Sequence, residues 1–255
     1  IIHIDIDASR IGRTCTPDVA IVGDAANAMA ALLDELDRTG SKPASRIDEM
    51  QALRAQMDGE FARLAPQKAW IDAIRAELPE DGILIEELTQ ISYASRLLWP
   101  TYRPRTYLST GYQGTLGWGY PTALGAKCAN PDRAVVAVHG DGGFMFGVQE
   151  MATAVRHNIG VVALVFNDNA YGNVKRIQQT NYAGRTVASD LTNPDFVKLA
   201  ESFGMRSQRV TTPQALRPAL KAAIKANAPA LIEIPVGEFP DPWSFFFRKK
   251  VRGAA

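Results

Sequence analysis

The sequence predicts an α/β protein built on a doubly wound, mostly parallel sheet. Two β-branched runs, Ala134 to Val138 and Val161 to Phe166, have the composition of strands that are buried on both faces. A helical pattern from Gln149 to His157 lies between them, and further strand and helix patterns alternate along the chain. Such alternation is typical of parallel strands joined by right-handed crossovers.

The first 40 residues predict a strand followed by a helix. Residues 1–7 alternate apolar and polar side chains, which is the period of a half-buried strand. Asp24 is placed to cap a helix, whose apolar face repeats at helical spacing until Gly40 ends it. Because the chain begins without Met and within a strand pattern, we expect it to be a piece of a longer or split protein.

The later helices and strands are predicted from the same hydrophobic periodicities and from the residues that end each segment. Residues 41–65 are predicted to form a polar linker and a weakly marked helix. The remaining helix patterns lie at Lys68–Glu77, Pro194–Phe203 and Pro213–Asn227. The remaining strand patterns lie at Gly82–Ile85, Arg105–Leu108 and Leu231–Ile234.

Composition narrows the class of protein. The chain has 255 residues and is 46% hydrophobic, so it can bury a sizeable core. Its 28 basic and 27 acidic residues favour neither nucleic acid nor a membrane surface as a partner. No apolar run approaches the roughly 20 residues that span a bilayer. Cys15 and Cys128 form no metal-ligand or disulfide pattern, which predicts a reducing, cytoplasmic compartment.

The turn after the first buried run carries the strongest chemical signal. Gly140-Asp141-Gly142-Gly143 exposes backbone N–H groups to an anion at the start of a helix. Asp141 would repel a bare phosphate, but a divalent cation between them removes the conflict. Mg²⁺ suits this role because it combines a few protein oxygens with phosphate oxygens and water.

A second polar cluster follows the next buried run. Residues 167–172, Asn-Asp-Asn-Ala-Tyr-Gly, offer side-chain oxygens and carbonyls on an irregular turn. Alone, the cluster is an ordinary strand-to-loop turn. Together with Asp141 one βαβ unit upstream, Asp168 predicts a metal site at the carboxyl edge of the sheet.

Two further segments belong to the same predicted edge. Gly111 to Gly119 is so rich in glycine that we expect its backbone to approach a flat ring or to turn sharply. Within it, Leu116 is either a wedge beneath a bent ligand or an ordinary core leucine. Residues 86–90, Glu-Glu-Leu-Thr-Gln, form another polar strand end.

A nicotinamide dinucleotide fold is the competing interpretation. Gly140-Asp141-Gly142 follows a strand, and Asp168 stands where a ribose-binding acid would lie. However, the third glycine of the dinucleotide motif falls on Met145, and an aspartate inside a phosphate loop has the wrong charge without a metal.

These motifs together resemble the thiamine diphosphate (ThDP) enzymes of the acetolactate synthase-like group. The shared pattern is GDG followed at a fixed interval by N-[ND]-x-x-[YLW]-G, here GDGG at 140–143 and NDNAYG at 167–172. The matching flanks are ELTQ at 87–90, GYQGTLGWGYPTALGAKCANP at 111–131 and IPVGEFPDPW at 234–243.

The resemblance implies the ThDP-binding fold and a division of the chain. Its diphosphate- and Mg²⁺-binding domain would span 66–243, preceded by a remnant of a Rossmann-like middle domain at 1–40 and the linker and helix at 41–65. Residues 244–255, with three consecutive phenylalanines before basic residues, would form a C-terminal tail.

The resemblance also implies site roles. Asp141, Asp168 and the Ala170 carbonyl would ligate Mg²⁺, with Asp168 standing where many relatives have Asn. Leu116 would hold the cofactor in a V shape, and the Gly114 carbonyl would accept a hydrogen bond from its 4′-amino group. The residues implied in cofactor binding are Thr89, Gln90, Gly114, Thr115, Leu116, Gly140, Asp141, Gly142, Gly143, Asp168, Ala170, Tyr171, Gly172 and Asn173.

No catalytic residue is assigned in this chain. In the family, the glutamate that protonates the aminopyrimidine lies on a separate pyrimidine-binding domain, so Glu86, Glu87 and Glu150 are not assigned that role. The site would form between domains of different subunits, which implies a homodimer or homotetramer. A 2-oxo acid or related carbonyl compound is the expected substrate, and FAD is a possible cofactor of the middle region.

Three functions follow from the residues and the resemblance. The first is the diphosphate-binding portion of a ThDP- and Mg²⁺-dependent lyase, decarboxylase or carboligase. The second is a non-catalytic scaffold of the same fold, and the third is the nicotinamide dehydrogenase. Candidates for contact with substrate, each with a purely structural or solvated alternative, are Tyr112, Gln113, Tyr171, Lys175, Arg176 and Arg185.

Overall fold

The computed structural model describes residues 1–40, 44–111 and 113–246. The chain forms two compact units. The first consists of Ile1–Glu60 together with the chain from Trp243 onward, and the second is Phe61–Pro242. All residues implied in cofactor binding belong to the second unit.

The first unit pairs two short parallel strands with two helices. Its elements are β1 (Ile2–Asp5), β2 (Val19–Val22), α1 (Ala25–Thr39) and α2 (Ile47–Glu60). The Asp24 carboxylate accepts the Asn27 N–H at 3.0 Å, and Gly40 ends α1 in the left-handed region at φ 65°. The predicted strand and capped helix are therefore confirmed, whereas β2 was not predicted from the sequence.

A wholly parallel six-stranded sheet forms the centre of the second unit. Its strands are β3 (Ile83–Glu86), β4 (Tyr107–Ser109), β5 (Val135–Gly140), β6 (Val161–Asn167), β7 (Arg206–Arg209) and β8 (Ala230–Pro235). They lie in the order β4-β3-β5-β6-β8-β7. The first five residues of β5 and the first six of β6 are buried, as the β-branched runs predicted.

Helices cover both faces of this sheet. They are α3 (Ala65–Glu77), α4 (Gln90–Leu98), α5 (Gly119–Ala129), α6 (Asp141–Met145), α7 (Met151–Arg156), α8 (Gly172–Asn181), α9 (Phe196–Ser202) and α10 (Pro213–Ala226). One core cluster joins α3, α4 and α10 to the sheet, and the other joins α5, α6, α7 and α9 to it. The predicted doubly wound α/β fold is confirmed.

The strand order reverses between β3 and β5. From β3 the chain moves outward to the edge strand β4, and it then returns to β5 on the opposite side of β3. In open α/β sheets the crevice at the carboxyl ends of such strands is the usual place for a ligand. A ligand is therefore expected beside the residues that follow β3, β5 and β6.

Several elements differ from the sequence-based expectation. β4 starts at Tyr107 rather than Arg105, and α5 begins inside the glycine-rich segment at Gly119. α4, α6, α8 and β7 were not predicted. The predicted helix over Gln149–His157 is instead a 3-10 turn followed by the shorter α7.

The predicted domain boundaries at residues 40, 65 and 243 stay predictions. A short helix, Trp243–Phe246, opens the tail, and Phe247 of the phenylalanine run lies outside the described residues. Within the described part of the chain, no helix combines the length and the apolar character that crossing a bilayer requires.

Candidate functional site

Three strand ends meet at the switch point of the sheet. Glu86 of β3 lies opposite Val138 of β5, and Gly140 of β5 lies opposite Phe166 of β6. This register brings the polar segments that follow β3, β5 and β6 to one edge. Asp141, the first residue of α6, is 1% exposed there, and Asp168 follows the last residue of β6.

Asp141 is buried and Asp168 is half-buried, and their two carboxylates interact electrostatically. Burial and the neighbouring charge of Asp168 raise the pKa of Asp141 to about 6. Burial likewise raises the pKa of Asp168 above its ordinary value. The pair is therefore costly to ionise by itself, and a cation placed between the carboxylates would lower that cost.

Neutral amides hold both carboxylates in place. Asn193 Nδ2 donates to Asp141 Oδ2 at 2.5 Å and to Asn167 Oδ1 at 2.9 Å. Gln90 Nε2 donates to Asp168 Oδ2 at 2.8 Å. The Gln90 side chain is itself oriented, because its Oε1 accepts the Phe239 N–H at 2.9 Å.

The turn after Asp168 is fixed by the segment around residue 190. The Tyr171 N–H donates to the Ser189 carbonyl and the Leu191 N–H donates to the Asn169 carbonyl, both at 2.8 Å. The Ala170 N–H donates to Asp168 Oδ1 at 3.2 Å, which folds the turn back toward that carboxylate. Ala170 thus lies beside Asp168 with its own backbone held by this pairing.

The donor set fits Mg²⁺. Two carboxylates and one backbone carbonyl are oxygen ligands of the kind this cation prefers, and it commonly keeps waters or phosphate oxygens in its remaining positions. Among the described residues, no group of three or more His, Cys, Asp or Glu side chains is arranged to hold a metal. Two carboxylates and one carbonyl leave positions around a cation for the oxygens of an anionic ligand.

The phosphate-binding candidates surround this pair. Gly142 and Gly143 are buried in the first turn of α6. Thr89 lies close to Gly140, since a Cβ on that glycine would lie 3.4 Å from Thr89 Cβ. Asn173 Oδ1 accepts from Arg176 Nη2 at 3.0 Å, so that amide is positioned by a neighbouring guanidinium.

The glycine-rich loop reaches the same edge. Gly114 and Gly117 adopt φ 58° and 78°, in the left-handed region that favours glycine. Leu116 lies near the GDGG turn, with its Cδ2 3.5 Å from where a Cβ on Gly143 would lie. Leu116 is half-buried and belongs to neither core cluster, which favours the wedge interpretation over the core leucine.

Of the other predicted substrate contacts that the structure describes, Lys175 is held in an ion pair, whereas Arg185 and Gln113 are exposed. Lys175 Nζ pairs with Asp190 Oδ1 at 2.6 Å, so its charge is already engaged near the site. Arg185 is exposed, and its Nε donates to the Tyr182 carbonyl within its own turn. Gln113 is exposed, and Tyr112 lies outside the described residues.

Sequence reasoning missed Asn193 and His139 as site-supporting residues, and it placed Glu87 only at a polar strand end. Asn193 is 52 positions from Asp141, and no local motif connects the two. Glu87 and His139 are both 0% exposed and contact each other at 3.0 Å. The sequence did offer one signal for His139, because it is an ionisable side chain within the otherwise apolar strand β5.

Comparisons with known proteins point to one family of enzymes. Residues 88–234 match the family described as thiamine pyrophosphate enzyme, C-terminal TPP binding domain. A probable acetolactate synthase large subunit of Methanocaldococcus jannaschii is 36% identical over 245 residues, covering 92% of this chain and 42% of that protein. The corresponding protein of Methanococcus aeolicus is 33% identical over 256 residues, covering 92% of this chain and 43% of its own length.

A solved structure is also similar. The thiamine diphosphate-dependent 4-hydroxybenzoylformate decarboxylase of Rhodococcus jostii RHA1 superposes with a TM-score of 0.63 at 33% identity. The superposition covers 67% of this chain and 32% of that one. The chain thus spans less than half the length of the relatives that it matches.

Proposed function

This chain belongs to the thiamine pyrophosphate enzyme family, and we propose that it supplies the diphosphate- and Mg²⁺-binding half of an active site that makes or breaks carbon–carbon bonds next to a carbonyl. The observation that carries the proposal is the pairing of the buried Asp141 with the half-buried Asp168 at the switch point of the sheet. The family assignment replaces the nicotinamide alternative, whose third glycine is Met145 here.

In this proposal Asp141, Asp168 and the Ala170 carbonyl ligate Mg²⁺. Gln90 keeps Asp168 oriented toward the cation, and Asn193 does the same for Asp141. The N–H groups of Gly142 and Gly143, at the start of α6, face the diphosphate, with Gly140, Thr89 and Asn173 beside them. The cation offsets the repulsion between the carboxylates and the phosphate oxygens.

The glycine-rich loop has a separate task. When bound, ThDP supplies a nucleophilic carbon and an electron sink for cleavage or formation of the bond beside a carbonyl. Leu116 would support the bound cofactor, and the Gly114 carbonyl would accept a hydrogen bond from its aminopyrimidine. Thr115, Tyr171 and Gly172 line the same crevice.

The complete site needs a second domain in this proposal. A pyrimidine-binding domain of another subunit supplies the catalytic glutamate, so the enzyme is a homodimer or homotetramer. Residues 1–40 end a middle domain, which is the region that would carry FAD. The named activities of the relatives support a 2-oxo acid or related carbonyl substrate. The two free cysteines, Cys15 and Cys128, support a reducing cytoplasmic setting.

Removal of the first proposed ligand tests the function. Asp141→Ala in the holoenzyme should abolish Mg²⁺-dependent ThDP binding measured by calorimetry, because the variant lacks one of the two carboxylates proposed to ligate the cation. Asp132→Ala, at an exposed aspartate of the same unit, is the matched control and should bind normally. Unchanged affinity in Asp141→Ala would refute the proposal, and binding without turnover on a panel of 2-oxo acids would favour the scaffold.

A further inference from the structure

A second buried carboxylate lies next to the cofactor site and has no role in the function proposed above. Glu87 follows β3 and is 0% exposed. Its Oε1 accepts the Gly117 N–H at 2.5 Å, and its Oε2 accepts the Gly119 N–H at 2.9 Å. Both donors belong to the glycine-rich loop, so one side chain fixes two points of that loop.

His139 completes the arrangement. Its Nδ1 lies 3.0 Å from Glu87 Oε2, and its ring packs between Tyr120 and Phe144, with centroid distances of 6.0 and 5.3 Å. Within the described residues, His139 Nε2 is buried without a hydrogen-bond partner. Nδ1 is thus the ring nitrogen through which His139 contacts Glu87.

The charge on Glu87 is stabilised despite its burial. Burial acts to raise the pKa of Glu87, but the hydrogen bonds from His139, Gly117 and Gly119 outweigh it and hold that pKa below its usual value. Glu87 is therefore a carboxylate at neutral pH, and its bonds to the loop are charge-assisted.

The same carboxylate touches the GDGG turn. A Cβ on Gly143 would lie 2.5 Å from Glu87 Oε1, and a Cβ on Gly119 would lie 2.6 Å from Glu87 Oε2. A Cβ on Gly143 would also lie 3.5 Å from Leu116 Cδ2. The Glu87 side chain thus lies between the GDGG turn and the glycine-rich loop that carries Leu116. A side chain at Gly143 or at Gly119 would collide with it.

We infer that Glu87, oriented by His139, is a positioning residue that locks the glycine-rich loop against the GDGG turn before the cofactor binds. A loop with three left-handed glycines, Gly111, Gly114 and Gly117, has many alternative conformations, and each one that is populated lowers the fraction able to bind. The part of this inference that concerns the cofactor rests on the proposed function, whereas the locking of the loop does not.

Amide hydrogen exchange tests the loop directly. In the full chain without cofactor, Glu87→Gln should speed exchange of the peptide covering residues 113–120 about tenfold or more, since one carboxylate oxygen becomes an amide donor facing an N–H. The matched control is Glu86→Gln, because Glu86 is equally buried but its Oε1 bonds Arg96 at 2.8 Å instead of the loop. That variant should not speed exchange of the loop.

Cofactor affinity supplies the second measurement. If the locked fraction falls tenfold, the Kd for ThDP with Mg²⁺ in the holoenzyme should rise by about the same factor. Unchanged exchange in Glu87→Gln would overturn the inference, as would faster exchange with unaltered affinity. Equal acceleration in a remote strand such as β8 would also overturn it, because that result indicates general destabilisation. If the unsubstituted holoenzyme fails to bind ThDP, the proposed function fails, and exchange alone decides whether Glu87 locks the loop.

Discussion

The buried side chain of Glu86 predicts how the free energy of unfolding depends on pH. This residue is the last of β3 and is 0% exposed, and burial raises its pKa from 4.5 to about 7 despite the Arg96 guanidinium 2.7 Å away. Its Oε2 is buried without a hydrogen-bond partner among the described residues. The folded chain therefore holds the proton more tightly than the unfolded chain does.

The sign of the effect follows from linkage. Because the pKa is raised in the folded state, the unfolded chain ionises first, and stability is lost as the pH rises from about 4.5 through about 7. At about 1.4 kcal/mol per pH unit, the full loss from this one group is at most about 3 kcal/mol. Glu86→Gln removes the ionisation while it keeps the size and polarity of the neutral acid.

We therefore expect Glu86→Gln to stabilise the chain at pH 8 by up to about 3 kcal/mol and at pH 5 by less than about 1 kcal/mol. Urea unfolding between pH 5 and 8, followed by tryptophan fluorescence, measures the difference from the unsubstituted chain. Glu201→Gln, at an exposed position, should show no such trend. A stability difference that stays constant across this pH range would refute the reasoning.

Three further substitutions test the core, the glycine-rich loop and the proposed metal site. Trp70→Ala should cost about 3–5 kcal/mol of unfolding free energy, because Trp70 is 6% exposed and packs edge-on against Phe166 at 5.7 Å; a cost below about 1 kcal/mol in urea unfolding would contradict this. Leu116→Ala should change stability by less than about 1 kcal/mol, since the side chain is half-buried, yet it should lower ThDP-dependent turnover at least tenfold; normal turnover would count against the wedge. Gln90→Ala should raise the Kd for ThDP with Mg²⁺ by about 10- to 100-fold in calorimetry, because Asp168 loses its donor; an unaltered Kd would exclude an orienting role for Gln90.

The parts of the fold that could be predicted have strong local signals. β5 and β6 are continuous β-branched runs, and the GDGG and NDNAYG turns follow them directly in sequence. In a parallel sheet, consecutive buried strands of this kind end at one edge, so Asp141 and Asp168 could be placed near each other without coordinates. The capped helix α1 was predictable for the same reason, because its signals are all local.

The missed parts depend on contacts between distant segments. α8 is a polar sequence, and its start is held by the pairing of the preceding turn with Ser189 and Leu191 rather than by an apolar face. The Glu87–His139 contact joins positions 52 apart, and Asn193 reaches Asp141 over the same separation. No periodicity specifies such pairs, since each partner looks like an ordinary polar residue in its own segment.

The support around the aspartates favours the proposed metal–diphosphate pair over a bare anion. The side chains that hold Asp141 and Asp168 are the neutral amides of Asn193 and Gln90, while the nearby cation of Lys175 is paired with Asp190. Neutral donors orient a carboxylate without cancelling its charge, which is why burial can raise both pKa values. The uncancelled charge repels an isolated phosphate but attracts a divalent cation, and the cation in turn attracts the phosphate oxygens. Asp168→Asn would keep an oxygen ligand but remove one of these two charges. It should therefore lower the pKa of Asp141. It should also reduce the affinity for Mg²⁺ more than it disturbs the hydrogen bonds from Asn193 and Gln90.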